Sequence, residues 1–470
     1  MKFDFFENEL NENVSNQYTV EVIFDGKVEK VKAFFAPVRE NLHDLDWHMD
    51  TWQADGTDWY VKQVIHKMSY CRFSATFESM FTVRITPNFH FENVRLRPGK
   101  MNYRIKDGAI EIELNKPTKI SVEFDGNIFE NLFLFVQLPV IDKPDESDSN
   151  VIYFKKGVHD VGEILLSDNQ SLYLEAGSYV YGYVKATGEN IKIFGQGVLC
   201  GAKLEHNYGK PREHLCVVNH GKNVVIKDIF MVETGTWTLK LYDCKDVLID
   251  NIAEICWNEN SDGIDVCVSR NVEIRNVFLR NADDNISIKA RRVATQEEIN
   301  LCGYSSEDIY VHDCIFWSDK AHCMLVGPEA TKGKESRFRN IRFENIICLE
   351  HREYLHTYQG VMSIFAADEA RIENIIWKNI EVYNMSYGRL ISIIYTDVYA
   401  NAMGKGVKNI VIDNVRYYGY QTFLNRILGL NEECIVENVV IKDLFVNGKK
   451  VANLEDYFRT NAFLKNIEIK

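Results

Sequence analysis

The chain has 470 residues, 46% apolar and 26% charged, which excludes a disordered polymer and leaves room for two domains around a large core. A formal charge of −14 argues against nucleic acid and anionic membranes as partners, and mildly against a polyanionic substrate. Eleven cysteines, with no C-x-x-C pair, read as buried reduced thiols.

Met1 to Glu9 contains no basic region followed by an apolar run, so no secretory signal is expected and a cytoplasmic location is inferred. Residues 1–142 carry alternating segments such as Tyr18–Phe24, Phe81–Ile85, Ile110–Leu114 and Lys119–Phe124. Asp25-Gly26, Asp107-Gly108 and Asp125-Gly126 are hairpin signals between such segments, and the pattern predicts an antiparallel β-sandwich. Trp47, Trp52 and Trp59 fall in a polar stretch and are candidates for packing or for a sugar platform. The apolar run Leu132–Ile141, broken by Gln137 and Pro139, is too short to cross a bilayer. Asp142–Asn150, acidic with one proline, is the expected linker.

From residue 150 to 470 the phrase Asn-apolar-x-apolar-x-Asn/Asp-apolar recurs. Copies start at Asn223, Asp246, Asn271, Asp308, Asn340, Asn374, Asn409, Asn438 and Asn466, at intervals of 23, 25, 37, 32, 34, 35, 29 and 28 residues. A constant phrase at variable spacing describes a coil of fixed cross-section with loops of different length. It predicts a parallel β-solenoid whose turns stack to bury one interior. Asparagine at each corner tolerates a left-handed backbone and can hydrogen-bond to its copy on the next turn.

A second strand in each turn carries polar residues at its entry: Trp237 before Leu239, Asp262 before Ile264, Asp284 before Ile286, and His322 before Met324. Stacked in step, these four residues form a column, with Asn260, Asp283 and Lys289 beside it. Lys240, Asp265, Ser287, Leu325 and Ser363 are expected to floor a groove. Asp262, Asp283 and Asp284 cannot all ionise easily at close range, so one pKa should rise. A protonated and an ionised carboxyl together are what glycosidic hydrolysis needs, and a separation of ~6.5–9.5 Å would give inversion.

Asn260-Ser261-Asp262-Gly263, Asp283-Asp284 and His322 on an Asn-rich solenoid resemble the polygalacturonase-type clan of inverting glycoside hydrolases. The resemblance covers roughly residues 150–470 and implies a right-handed parallel β-helix acting on a carbohydrate without cofactor or metal. It implies Asp283 as general acid, Asp262 and Asp284 as holders of the water, His322 as a supporting group, and Lys289 and Asn260 as substrate-binding groups. Trp237, which heads the column, is read from its position as a sugar platform in the substrate site or a cap on the core. Two departures stand out: Ala321-His322-Cys323 replaces Gly-His-Gly, and Gly360-Val361-Met362-Ser363-Ile364 stands near the family's Arg-Ile-Lys. The lost cations favour a neutral glycan over galacturonan. A sandwich ahead of the helix is more similar to the dextranase and isopullulanase branch.

Two alternatives remain open at this stage. A calcium-dependent polysaccharide lyase would use Asp262, Asp265, Asp283 and Asp284 as ligands. A non-catalytic glycan-binding helix would use the same acids only to hydrogen-bond hydroxyls. Linkage, endo or exo action and oligomeric state are not legible. The segments Ala290–Tyr304 and Glu329–Arg337 are the candidates for closing one end of the groove.

Overall fold

The computed structural model describes residues 1–6, 13–36, 53–54, 57–58, 68–99, 101–204, 213–258, 260–290, 301–331, 333–334, 336–420 and 423–470. Trp47, Trp52 and Trp59 lie outside these residues, as does most of the 290–304 insertion. Every regular element among them is a β-strand.

Two sheets precede the coil. One contains Phe3–Asp4, Ala33–Ala36, Met68–Ala75, Val94–Arg97, Thr118–Phe124 and Asn127–Gln137. The other contains Tyr18–Phe24, Lys27–Val31, Phe81–Pro87, Tyr103–Lys106 and Ala109–Leu114. Their inner faces share one core that includes Val20, Phe73, Val83, Ile112, Val122 and Leu134. The three Asp-Gly dipeptides turn hairpins with both residues at positive φ, 48° and 73° at Asp25-Gly26, which matches the twist of the flanking strands. All pairs are antiparallel except Asn127–Gln137 against Met68–Ala75, which is parallel.

The apolar run that begins at Leu132 is continuous because both faces of its strand are covered. Leu132, Leu134 and Val136 enter the sandwich core. Phe133 and Phe135 point the other way, into a second cluster with Phe230, Phe278 and Trp317 of the coil. That cluster locks the sandwich onto one side of the helix. The linker is tethered too: Asp142 pairs with Lys192 at 2.5 Å and Lys227 at 2.9 Å, and Lys143 with Glu175 at 2.6 Å.

From Val151 onward 26 strands form a coil in which each turn hydrogen-bonds to the next in parallel, apart from one short antiparallel pair near the C-terminal end. Sequence periodicity anticipated two strands per turn, but three are found where the turns are regular. One turn runs Lys245–Asp250, Ala253–Cys256, Ile264–Cys267, and the next Arg270–Arg275, Phe278–Asn281, Ile286–Ala290. The middle strand was hidden because its outward residues are covered by the sandwich, so its apolar and polar positions do not alternate.

The corners behave as the asparagines predict. Asn340, Asn374, Asn409, Asn438 and Asn466 all have φ between 54° and 60°. Each donates Nδ2 to the Oδ1 of the residue one turn earlier, from Asn466 to Asn438 (2.9 Å) down to Asn340 and Asp308 (2.8 Å). A second ladder joins Asn414, Asn379, Asn345 and Asp313 at 2.9 to 3.1 Å. These ladders fix the register, and the register places the site. Ten of the eleven cysteines are buried and none is in a disulfide.

Candidate active site

The third strands pair in step: Leu239 with Ile264, Ile264 with Ile286, Ile286 with Met324, and Met324 with Met362. Counting back two residues on each puts Trp237, Asp262, Asp284 and His322 in one column. The main chain continues the ladder through them. Thr238 N–H donates to Asp262 O (2.7 Å), Gly263 N–H to Asp284 O (2.8 Å) and Asn285 N–H to His322 O (2.8 Å).

Asp262, Asp283 and Asp284 each offer a carboxylate oxygen within 4.8 Å of the others. This is tighter than the ~6.5–9.5 Å expected from sequence for an inverting pair. The reason is local: two of the acids are consecutive residues and the third is one turn away. A tight turn makes the approach possible. Gly263 leaves no room for a Cβ, which would meet Asn285 O at 2.5 Å. Asn281 and Asn285 brace it from beneath, with Asn285 Nδ2 donating to Asn281 Oδ1 and Asn281 Nδ2 to Glu254 Oε2, both at 3.0 Å.

Burial and the neighbouring Asp284 push Asp283 up to about 7. Asp262 is raised well above the usual carboxylate range by burial and by Asp265, against the pull of Lys289. Burial raises Asp265 to about 6. Asp283 is half-buried, whereas Asp262 and Asp284 are buried. Asp283 Oδ1 accepts from the Asp284 N–H at 3.0 Å, and its Oδ2 lies 3.5 Å from Asn260 Nδ2.

Most of the other residues singled out in the sequence are buried. His322 is fully buried and does not face a groove: its Nδ1 lies 2.7 Å from Asp284 Oδ1 and its N–H donates to the same oxygen at 3.0 Å. Lys289 is buried as well, with Nζ at 2.7 Å from Asp265, 3.1 Å from Asp262 and 3.4 Å from Glu329, so it acts as an internal counter-ion. Trp237 is half-exposed and lies over that ammonium, 3.7 Å from ring centroid to Nζ, with His214 stacked at 5.2 Å. The supposed groove floor is covered, since Asp265, Ser287, Leu325 and Ser363 are all fully buried. Leu325 packs with Phe365 and Tyr358.

Sequence reasoning missed Tyr358, Glu353 and Glu329. Tyr358 packs edge-on against His322, with ring centroids 4.3 Å apart, and its hydroxyl is 3.5 Å from Asp284 Oδ2. Glu353 holds the loop beneath it by accepting from Ala321 N–H (2.9 Å) and Leu355 N–H (2.6 Å). Both lie in a loop outside the repeat phrase, where periodicity gives no signal.

Fold and acid cluster together define a β-helical glycosidase architecture. Residues 180–457 match the family described as glycosyl hydrolases family 28, and the chain belongs to that family. Exopolygalacturonase B of Aspergillus niger is 23% identical over 286 residues, which cover 54% of this chain and 60% of that protein. Dex49A from Penicillium minioluteum superposes with a TM-score of 0.73 at 15% identity, covering 99% of this chain and 96% of that one. The family 28 exopolygalacturonase of Yersinia enterocolitica gives 0.50 at 11% identity, over 98% and 94%.

Proposed function

We propose that this chain hydrolyses an O-glycosidic bond by direct displacement with water, inverting the anomeric centre. The observation that carries the reading is the close approach of Asp262, Asp283 and Asp284 on two adjacent turns. Two hydrogen bonds of ~2.8 Å at a tetrahedral angle separate their acceptors by ~4.6 Å. The observed spread therefore suits a single water bridging two carboxylates. Asp284, oriented by His322, takes a proton from that water as its oxygen bonds to the anomeric carbon. Asp283, half-exposed and raised toward neutrality, donates to the departing glycosidic oxygen. Asp262 holds the water's second hydrogen.

At the bond cleaved the reading favours a neutral sugar. The turn after His322 carries Gly360-Val361-Met362-Ser363 with no cation, and Lys289 is already enclosed by three carboxylates. Several relatives are named exopolygalacturonases, which would bring galacturonan as the competing substrate. The test is a panel of neutral and acidic oligosaccharides, with anomeric configuration followed by NMR. A β-eliminated, ultraviolet-absorbing product, or full turnover by Asp283→Asn, would falsify the proposal.

The acid trio also has the spacing of a cation site. The Lys289 ammonium already supplies a cation to Asp262 and Asp265, and the His322 main-chain N–H donates to Asp284, which favours hydrolysis over calcium-dependent elimination.

A further inference from the structure

Three arginines stand together at the far end of the same face. Met362 pairs with Ile391, so the column Trp237, Asp262, Asp284, His322, Gly360 continues at Arg389. Its carbonyl accepts from Val361 N–H at 2.9 Å, as His322 O does from Asn285. On the following turns Ser392 pairs with Arg426, and Arg426 with Arg459. With turns ~4.8 Å apart, Arg389 lies three turns, ~14 Å, beyond Asp284.

Arg426 is buried and its donors are engaged. They meet Ser392 Oγ (2.8 and 3.1 Å) and the carbonyls of His356 (3.2 Å), Thr357 (3.3 Å) and Gln359 (3.2 Å), which flank Tyr358. Arg389 donates Nη1 to Leu424 O, while its Nε is buried without a partner. Arg459 is exposed. No ion pair is found for any of the three among the described residues. Burial and the other two guanidiniums depress Arg426 to about 9, and burial and Arg459 lower Arg389. In a chain of net charge −14, uncompensated like charges on the glycan-facing side call for an anion supplied from outside.

We propose that Arg389 and Arg459, with Arg426 braced between them, form an anion subsite that takes the carboxylate or sulfate ester of a sugar remote from the scissile bond. It rests on the reading that this face binds a glycan, and with a neutral sugar at the cleaved bond it implies a substrate of mixed charge. The planar guanidinium fork suits either oxyanion.

Calorimetric binding is measured on full-length protein carrying Asp283→Asn, so that turnover does not interfere. The probes are oligogalacturonate, its uncharged methyl ester and a sulfated galacto-oligosaccharide. The free acid or the sulfated probe should bind at least tenfold tighter than the ester at low salt, with the preference shrinking as salt rises. The tighter of the two identifies the anion. Arg389→Met and Arg459→Met should each reduce the preference about tenfold, and Arg459 is exposed, so its variant should stay folded. Equal binding of acid, sulfate and ester, no binding at all, or a preference kept in both variants overturns the subsite. If no glycan is cleaved by the wild type yet the arginine-dependent preference persists, the hydrolase reading fails and the subsite stands.

Discussion

His322 Nδ1 stands 2.7 Å from Asp284 Oδ1, and the main-chain N–H of the same histidine donates to that oxygen at 3.0 Å. One residue thus fixes one carboxylate oxygen twice, while the Tyr358 hydroxyl lies 3.5 Å from the other. The imidazole is buried behind Tyr358, and in the proposed mechanism it positions Asp284. His322→Ala is expected to lower kcat by roughly 10- to 100-fold with KM little changed. His322→Asn, which keeps a donor near Asp284, should lose less; steady-state kinetics of the pair checks this.

Asp283 is expected to set the alkaline limb of the rate profile. Its carboxyl is held up to about 7, and the proposed role needs the protonated form, so kcat/KM should fall as pH rises through about 7. Asp283→Asn should cost roughly 10²- to 10⁴-fold in kcat and remove that limb.

Lys289 joins Asp262, Asp265 and Glu329 in a buried cluster. Lys289→Met leaves these carboxylates without their cation and should destabilise the fold by about 3–5 kcal/mol, read from urea unfolding. Adding Asp265→Asn should recover part of the loss. A variant that unfolds like wild type but shows only a raised KM would return Lys289 to the substrate-binding role suggested by sequence.

Glu254 is buried, pushed up to about 8 by desolvation and by Asp265. Unfolded, it releases its proton near 4.5; folded, it retains it to about 8. Between those values the native state binds more protons, so this group lowers stability as pH rises. Glu254→Gln can still accept from Asn281 and should flatten the decline between pH 4.5 and 8 in denaturation midpoints.

Asn379 lies mid-ladder, with φ 55°, donating to Asn345 and accepting from Asn414. Asn379→Ala loses both side-chain bonds and strains the backbone, and should cost about 1–3 kcal/mol. Asn379→Gly, which relieves the backbone strain, should cost less. Chelation should leave hydrolysis unchanged, since Lys289 supplies the positive charge; loss of turnover with EDTA, restored by calcium, would point to the lyase.

The solenoid, its asparagine corners, the sandwich hairpins and the column through Asp262, Asp284 and His322 were legible in the residues themselves. Each depends on local geometry: period-two alternation, positive φ at Asn and Asp-Gly, and a repeat that puts equivalent positions one turn apart. The tertiary structure alone decided which of those side chains meet solvent. Lys289 and His322 look like groove residues in the sequence, and both are buried, because Trp237 lies over one and a loop outside the repeat carries Tyr358 over the other. The middle strand of each regular turn was likewise invisible, since the sandwich covers its outer face and erases the alternation that sequence reading depends on. Burial by partners distant in the chain leaves no local periodic trace, and it is burial that does most to raise Asp262, Asp265 and Asp283.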